Sequence, residues 1–310
     1  MRTAGLALAL LLAACAQASA PLPAQPVAAG SAITIQAAPV GEVREGWTML
    51  QFGKPDGFTF AGGLHLTSPD TSRLHGLSAL EVTADGALTA VSDQGDLVQA
   101  RIILDETGRL TGVRDGRLTP LRDTEGRPLE GKSESDAEGM ATLASGDRLV
   151  SFERHHRIWL YPKDGGPPRP APAPDVKLPD NGGFEALAAD PARGRDAYVV
   201  GAEESGQTWR CRLSKGCIPG RTVEKFKGMG LTAAASLPQD RTAWLLRGVA
   251  GLGLEVVLRI DDAAGRTIAA HRMGENFTVD NFEGLAARPR PDGTIRFYIL
   301  SDDNFSASQR

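Results

Sequence analysis

Apolar residues fall along this chain in short runs, each closed by turn chemistry. Leu88–Ser92, Arg148–Phe152, Tyr198–Val200, Trp244–Leu246 and Arg296–Leu300 carry the leucine, β-branched and aromatic content of strands. Asp85-Gly86, Gly146-Asp147 and Asp292-Gly293 supply the turns between such runs. No segment keeps apolar residues at the helical period over several turns. The pattern predicts an all-β chain. The Pro-rich stretch Gly165–Pro174 reads as a loop, because proline cannot donate to a sheet ladder.

The strand pairs recur. His75-Gly-Leu-Ser78 leads to a run ending at Asp93, and Asp136-Ala-Glu-Gly-Met140 to one ending at Glu153. Asn181–Leu187, containing Gly-Phe-Glu-Ala-Leu, leads to Glu203. Gly230-Leu-Thr-Ala233 leads to Arg247, and Asp280–Leu285, containing Asn-Phe-Glu-Gly-Leu, leads to Asp302. Each unit is thus a Glu-Gly-Leu-like opening, a strand, a turn and a second strand ending in a charged residue. From Leu77 to Met140, Leu187, Leu231 and Leu285 the steps are 63, 47, 44 and 54 residues. Periods of about 40–50 residues in an all-β chain are those of propeller blades. Five repeats are visible. Phe58–Phe60 and Leu64–Leu66 extend the pattern before them, so six blades are expected. The last unit stops after its second strand, so either strands from the N-terminal side complete it or this sequence lacks a terminal strand.

The ends set the compartment. Arg2, the apolar run Leu6–Ala14 and Leu12-Ala13-Ala14-Cys15 read as residues 1–15 of an export signal ending at a lipidated cysteine; cleavage after Ala20 is the alternative. The run is too short to span a bilayer. Residues 16–32, rich in Ala, Pro, Gln, Ser and Gly, read as a flexible tether, leaving 33–310 as the folded domain. The expected location is the periplasm or outer membrane, with membrane contact only through a lipid on Cys15 and a monomeric state. A net charge of −4, a pI near 5.8 and scattered Lys and Arg give no nucleic-acid footprint. In an oxidising compartment Cys211 and Cys217 are expected to form a disulfide across a hairpin.

The segments GGLHL, HGLSAL, AVSDQG, SDAEGM, LVSFERHHRI, GGFEALA, DNFEGLA and LSDDNFS, in this order, resemble the phytase-like family known for an "esterase-like activity of phytase". The resemblance runs from about Gly46 to Arg310 and implies an exported β-propeller hydrolysing phosphoesters. The chain departs from the family look at His75, where a glycine is expected, and at Leu246-Arg247, where an acidic residue is expected before the arginine.

In a propeller the inner strands face the axis, so the repeated Glu138, Glu185 and Glu283 converge from different blades. The strand-end charges Asp93, Glu153, Glu203, Arg247, Asp302 and Asp303 recur at a second equivalent position. Carboxylates gathered on one axis repel one another, which calls for a cation. Hard oxygen donors, with Asn181, Asn281 and Asn304, suit Ca²⁺. Arg154, Arg157 and Arg247 are candidates to hold phosphate oxygens, and His155 or His156 to protonate a leaving group of a small anionic or ester substrate. Two other readings remain open: a non-catalytic binding propeller of the cell envelope, and a calcium-dependent lactonase-like esterase. Ser78, Ser92 and Ser301 sit in no Gly-x-Ser-x-Gly elbow, which disfavours a serine esterase.

Overall fold

The computed structural model describes residues 27–40, 57–250, 253–274 and 280–304. The export signal, Cys15 and most of the 16–32 stretch lie outside them. Two short strands come first, β1 (Ser31–Ala32) and β2 (Gln36–Pro39), then β3 (Leu64–Thr67), which pairs antiparallel with β2. The first blade is β4 (Leu77–Val82), β5 (Ala87–Ser92), β6 (Asp96–Leu104) and β7 (Leu110–Pro120), with β1 paired outside β7. A single turn of helix, α1 (Lys132–Ser135), leads into the second blade. That blade is β8 (Ala137–Thr142), β9 (Arg148–Phe152), β10 (Arg157–Tyr161) and β11 (Arg169–Pro170). The third blade is β12 (Ala186–Ala189), β13 (Ala197–Gly201), β14 (Gln207–Arg212) and β15 (Gly216–Thr222). The fourth is β16 (Met229–Leu237), β17 (Arg241–Ala250), β18 (Gly253–Asp261) and β19 (Thr267–Met273). A two-stranded sheet, β20 (Asn281–Pro289) with β21 (Ile295–Asp302), follows.

The first strands close a ring. β4 packs on β8, β8 on β12, β12 on β16, β16 on β20, and β20 back on β4. The fold is a β-propeller, and the expected six blades are corrected. Among the described residues, four complete blades and the β20–β21 sheet occupy five places around the axis. The strand-like residues before Leu74 add no sixth blade, because Leu64–Thr67 pairs with β2 and Phe58 stacks on His271 of β19, ring centres 4.9 Å apart. The Pro-rich loop is also corrected at one point. Arg169–Pro170 pairs with β10 as an edge strand, where a missing N–H can face solvent. Ser31–Ala32, at the end of the stretch read as a tether, pair with β7.

Five places around an axis leave little room, and the inner strands are accordingly built from small residues. Ala137, Ala141, Ala186, Ala188, Ala233 and Ala286 are all buried there. A Cβ on Gly139 would lie 2.4 Å from Ser151 Oγ and 2.8 Å from the Glu185 carbonyl oxygen. Apolar layers then fill the space between neighbouring blades: Ala79, Val91, Met140 and Phe152 between the first two; Leu149, Leu160, Leu187 and Tyr198 between the second and third; Leu231, Leu246 and Ala186 beyond. The Cys211–Cys217 disulfide joins directly opposed positions of β14 and β15, as the sequence leads one to expect.

Candidate functional site

The repeated openings are β-bulges. The pairing of each inner strand with its neighbour slips by one residue at Ala79, Glu138, Thr232 and Glu283. In the third blade Phe184 and Glu185 lie between the Gly183–Glu203 and Ala186–Gly201 pairs, opposite Ala202 alone. A bulge bends the strand and re-aims a side chain. Here it delivers Ser78, Glu138, Glu185, Thr232 and Glu283 to equivalent places around the axis.

A second tier lies above them. The N–H of Asp93 donates to Gly76 O (2.9 Å), that of Glu153 to Asp136 O (2.8 Å) and that of Glu203 to Gly183 O (3.1 Å). Arg247 pairs with Gly230, and Asp302 with Asn281. The strand-end charges therefore form one ring, and the residues opposite them are glycine in three blades. A Cβ would stand 2.1 Å from Asp93 Oδ1 at Gly76 and 2.6 Å from Glu203 Oε1 at Gly230, so these glycines make room for the acids. The repeat glycine of the first blade is thus Gly76. His75 instead bonds Asp303 through Nδ1.

The positive charges of the ring are committed. Arg247 donates to Asn281 Oδ1 and Glu283 Oε1 and lies 3.3 Å from Glu203 Oε1. Lys132, on α1, reaches Asp93 Oδ2 at 2.7 Å and Asp136 Oδ1 at 2.9 Å, and Arg154 Nε reaches Asp136 Oδ2 at 2.8 Å. The sector between them holds Glu138, Glu153 and Glu185. Asp136, Glu138 and Glu153 can bring one carboxylate oxygen each within 4.8 Å of the others, and so can Glu153, Glu185 and Glu203. Among the described residues Glu185 Oε2 and Asp93 Oδ1 are buried without a hydrogen-bond partner.

Electrostatics follow from this crowding. Burial pushes Glu138 and Glu185 well above the usual carboxylate range, with repulsion from Glu283 on the first and from Glu203 on the second adding to it. Glu153 rises to about 7 through burial and the nearness of Asp136 and Glu203. Burial lifts Asp93 and Asp302 to about 6. It also raises Glu283, against the pull of Arg247. Ser78 Oγ stands 2.9 Å from Glu138 Oε2 and 3.0 Å from Glu283 Oε2. A hydroxyl has one proton to give, so both contacts are hydrogen bonds only when one of the two carboxyls is protonated.

Not every candidate residue meets the axis. His155, 65% exposed on the turn after β9, bonds Glu134 at 2.5 Å, and His156 Nε2 lies 2.8 Å from the Pro179 carbonyl. Arg157 is stacked between Phe152 and Trp159, 4.1 and 4.4 Å from the ring centres. Asn304 donates its N–H to Asp302 Oδ1. Asn181 lines an open cleft of ≈ 630 Å³ that starts at Glu203. Lys132 and Asp136 join the site without having been singled out, and Ser78, weighed in the sequence only as a nucleophile, joins it as the partner of Glu138 and Glu283. Asp136 was legible only by aligning it with Asn281 against the strand-end acids.

An axial acidic centre built by repeated bulges defines the chain as a β-propeller with a hard-donor site at its hub. Residues 72–305 match the sequence profile of the phytase-like family, described as esterase-like activity of phytase, and the chain belongs to that family. No curated protein sequence matches it. The structure is similar to the calcium-binding protein regucalcin from Agrobacterium tumefaciens, at 14% identity over 79% of this chain and 74% of that one, TM-score 0.45. It is also similar to virginiamycin B lyase from Staphylococcus aureus, at 10% identity over 76% and 74%, TM-score 0.40. A third similar structure is the Swd1 β-propeller domain from Myceliophteria thermophila, at 13% identity over 76% and 69%, TM-score 0.40.

Proposed function

We propose that this protein is a divalent-cation-dependent hydrolase of ester bonds, with Ca²⁺ as the cation, acting at the hub of the propeller. The observation that carries the reading is the sector of Glu138, Glu153 and Glu185, where among the described residues Glu185 Oε2 is buried without a partner and no Lys or Arg makes an ion pair. Leaving such charge uncompensated is costly, and an oxygen-only donor set suits a hard ion of loose coordination. When bound, the ion supplies Lewis-acid polarisation of an ester or phosphoryl oxygen. Glu138, Glu153 and Glu185 would hold it, with Asp136 and Glu203 at the flanks. Arg247 fixes Glu283 and Glu203, and Lys132 fixes Asp93 and Asp136, so the donors are pre-set. Asp93 and Asp302, each lifted by burial to about 6, would accept the proton of an attacking water.

Export, a lipid anchor at Cys15, action as a monomer in the cell envelope and a small substrate complete the reading. Palmitate labelling that is lost in Cys15→Ser tests the anchor. For the activity, hydrolysis of aryl phosphates, aryl esters and lactones is measured with Ca²⁺ and with EDTA. Activity that needs the ion and disappears in Glu185→Gln supports the reading, and full turnover in EDTA contradicts it.

A further inference from the structure

We infer that the ester processed at this centre is uncharged and carries an apolar group, as an aryl ester or a lactone does, rather than being a phosphomonoester or polyphosphate. The inference rests on the hydrolase reading and narrows its substrate.

The first ground is the fate of the cations. Arg247, Lys132 and Arg154 are bound to carboxylates of the ring. Arg157 is packed between aromatic rings, with its Nη groups on the carbonyls of His155 and Glu134. Lys225, in the cleft beside Glu203, points its Nζ at the carbonyl oxygens of Glu203, Glu204 and Met229. Phosphate recognition uses forked, charge-assisted donors held open for the ligand. Most of those at this hub already serve the protein's own acids and carbonyls, Arg154 through its Nε alone. One divalent ion added to the ring still leaves more carboxylates than cations, so a dianionic substrate meets net repulsion.

The second ground is the wall of the cleft. It opens from Glu203; Val223, Phe226 and Met229 make its apolar side, and Glu204, Glu224 and Lys227 its polar side. Phe226 is 53% exposed, with the Arg272 guanidinium 4.4 Å from its ring centre holding it in place. An apolar surface continuous with an acidic hub fits a substrate whose reacting carbonyl reaches the ring while its apolar part rests outside.

The chemistry closes without another reagent. Water's oxygen bonds to the acyl carbon, the acyl–oxygen bond breaks, one proton goes to the departing alkoxide and the other to solvent. The product is a carboxylate, which the ring repels, so the charge that rejects anionic substrates also expels the product.

The test is kcat/KM of the full chain in Ca²⁺ for phenyl acetate and a six-membered lactone against 4-nitrophenyl phosphate and inositol hexakisphosphate. The neutral esters should lead by about 100-fold, the order expected for placing two extra negative charges in such a field. Phosphates turned over as well or better overturn the inference while leaving the hydrolase reading intact. Neutral-ester turnover that persists in EDTA supports the substrate class and overturns the metal reading. No turnover of any substrate in Ca²⁺ overturns both. Phe226→Ser should raise KM for phenyl acetate about tenfold, and for the smaller lactone by less, with kcat unchanged. Unchanged KM for both substrates would remove the assigned apolar contact.

Discussion

Glu185→Gln separates a carboxylate kept for an ion from one kept for the fold. In the cation-free protein, burial and repulsion from Glu203 push Glu185 toward its protonated form. Keeping a buried carboxyl in place without a compensating charge costs about 3–5 kcal/mol. Glutamine keeps the shape and removes that cost, but its amide brings donors of its own into a site where Oε2 already lacks a partner. Subtracting about 1–2 kcal/mol for them leaves a net gain of roughly 2 kcal/mol. For a domain of this size that is an increase in Tm of about 4–8 °C. The assay is thermal unfolding of wild type and variant in EDTA and in millimolar Ca²⁺. In EDTA the variant should melt higher. In Ca²⁺ the order should reverse, because the wild type alone retains its full donor set. A variant that melts several degrees lower in EDTA would mean that Glu185 bonds the scaffold, and the metal reading would lose its main support.

Three further outcomes follow from the same geometry. Asp93, Asp302 and Glu153, lifted to about 6, about 6 and about 7, bind protons more tightly folded than unfolded. Their contribution is therefore full below about pH 4 and lost as pH rises through 6 to 7, at about 2–3 kcal/mol each before mutual coupling. Urea titrations of the cation-free protein should show stability falling between about pH 4 and about pH 7, and Ca²⁺ should flatten that slope. Gly139→Ala forces a methyl against Ser151 and the Glu185 carbonyl and should cost about 2–3 kcal/mol, read as a lower urea midpoint. Cys211→Ser with Cys217→Ser opens a very short loop and should cost about 2 kcal/mol, with the hub and its activity unchanged.

The propeller was legible because each blade asks the same thing of its inner strand. The bulge needs Glu138-Gly139 or Glu283-Gly284, and small residues follow because the axis is narrow. The blade count was not legible. Leu64–Thr67 alternates like a blade strand, and only its pairing with β2 removes it from the ring. The ring of strand-end acids was readable from Asp93, Glu153, Glu203 and Asp302. The place of Asp136 was hidden because Gly76, Gly183 and Gly230 fill the equivalent positions. The role of the basic residues depended on distances no spacing reveals. Arg154 and Arg247 neutralise the protein's own acids, and Lys132 does the same from a helical turn that carries no repeat.

The most direct measurement is anomalous diffraction from crystals soaked in Ca²⁺. The account requires a peak on the propeller axis with oxygens of Glu138, Glu153 and Glu185 at about 2.3–2.6 Å. A hub without a peak, with ions only on the outer strands, would contradict it.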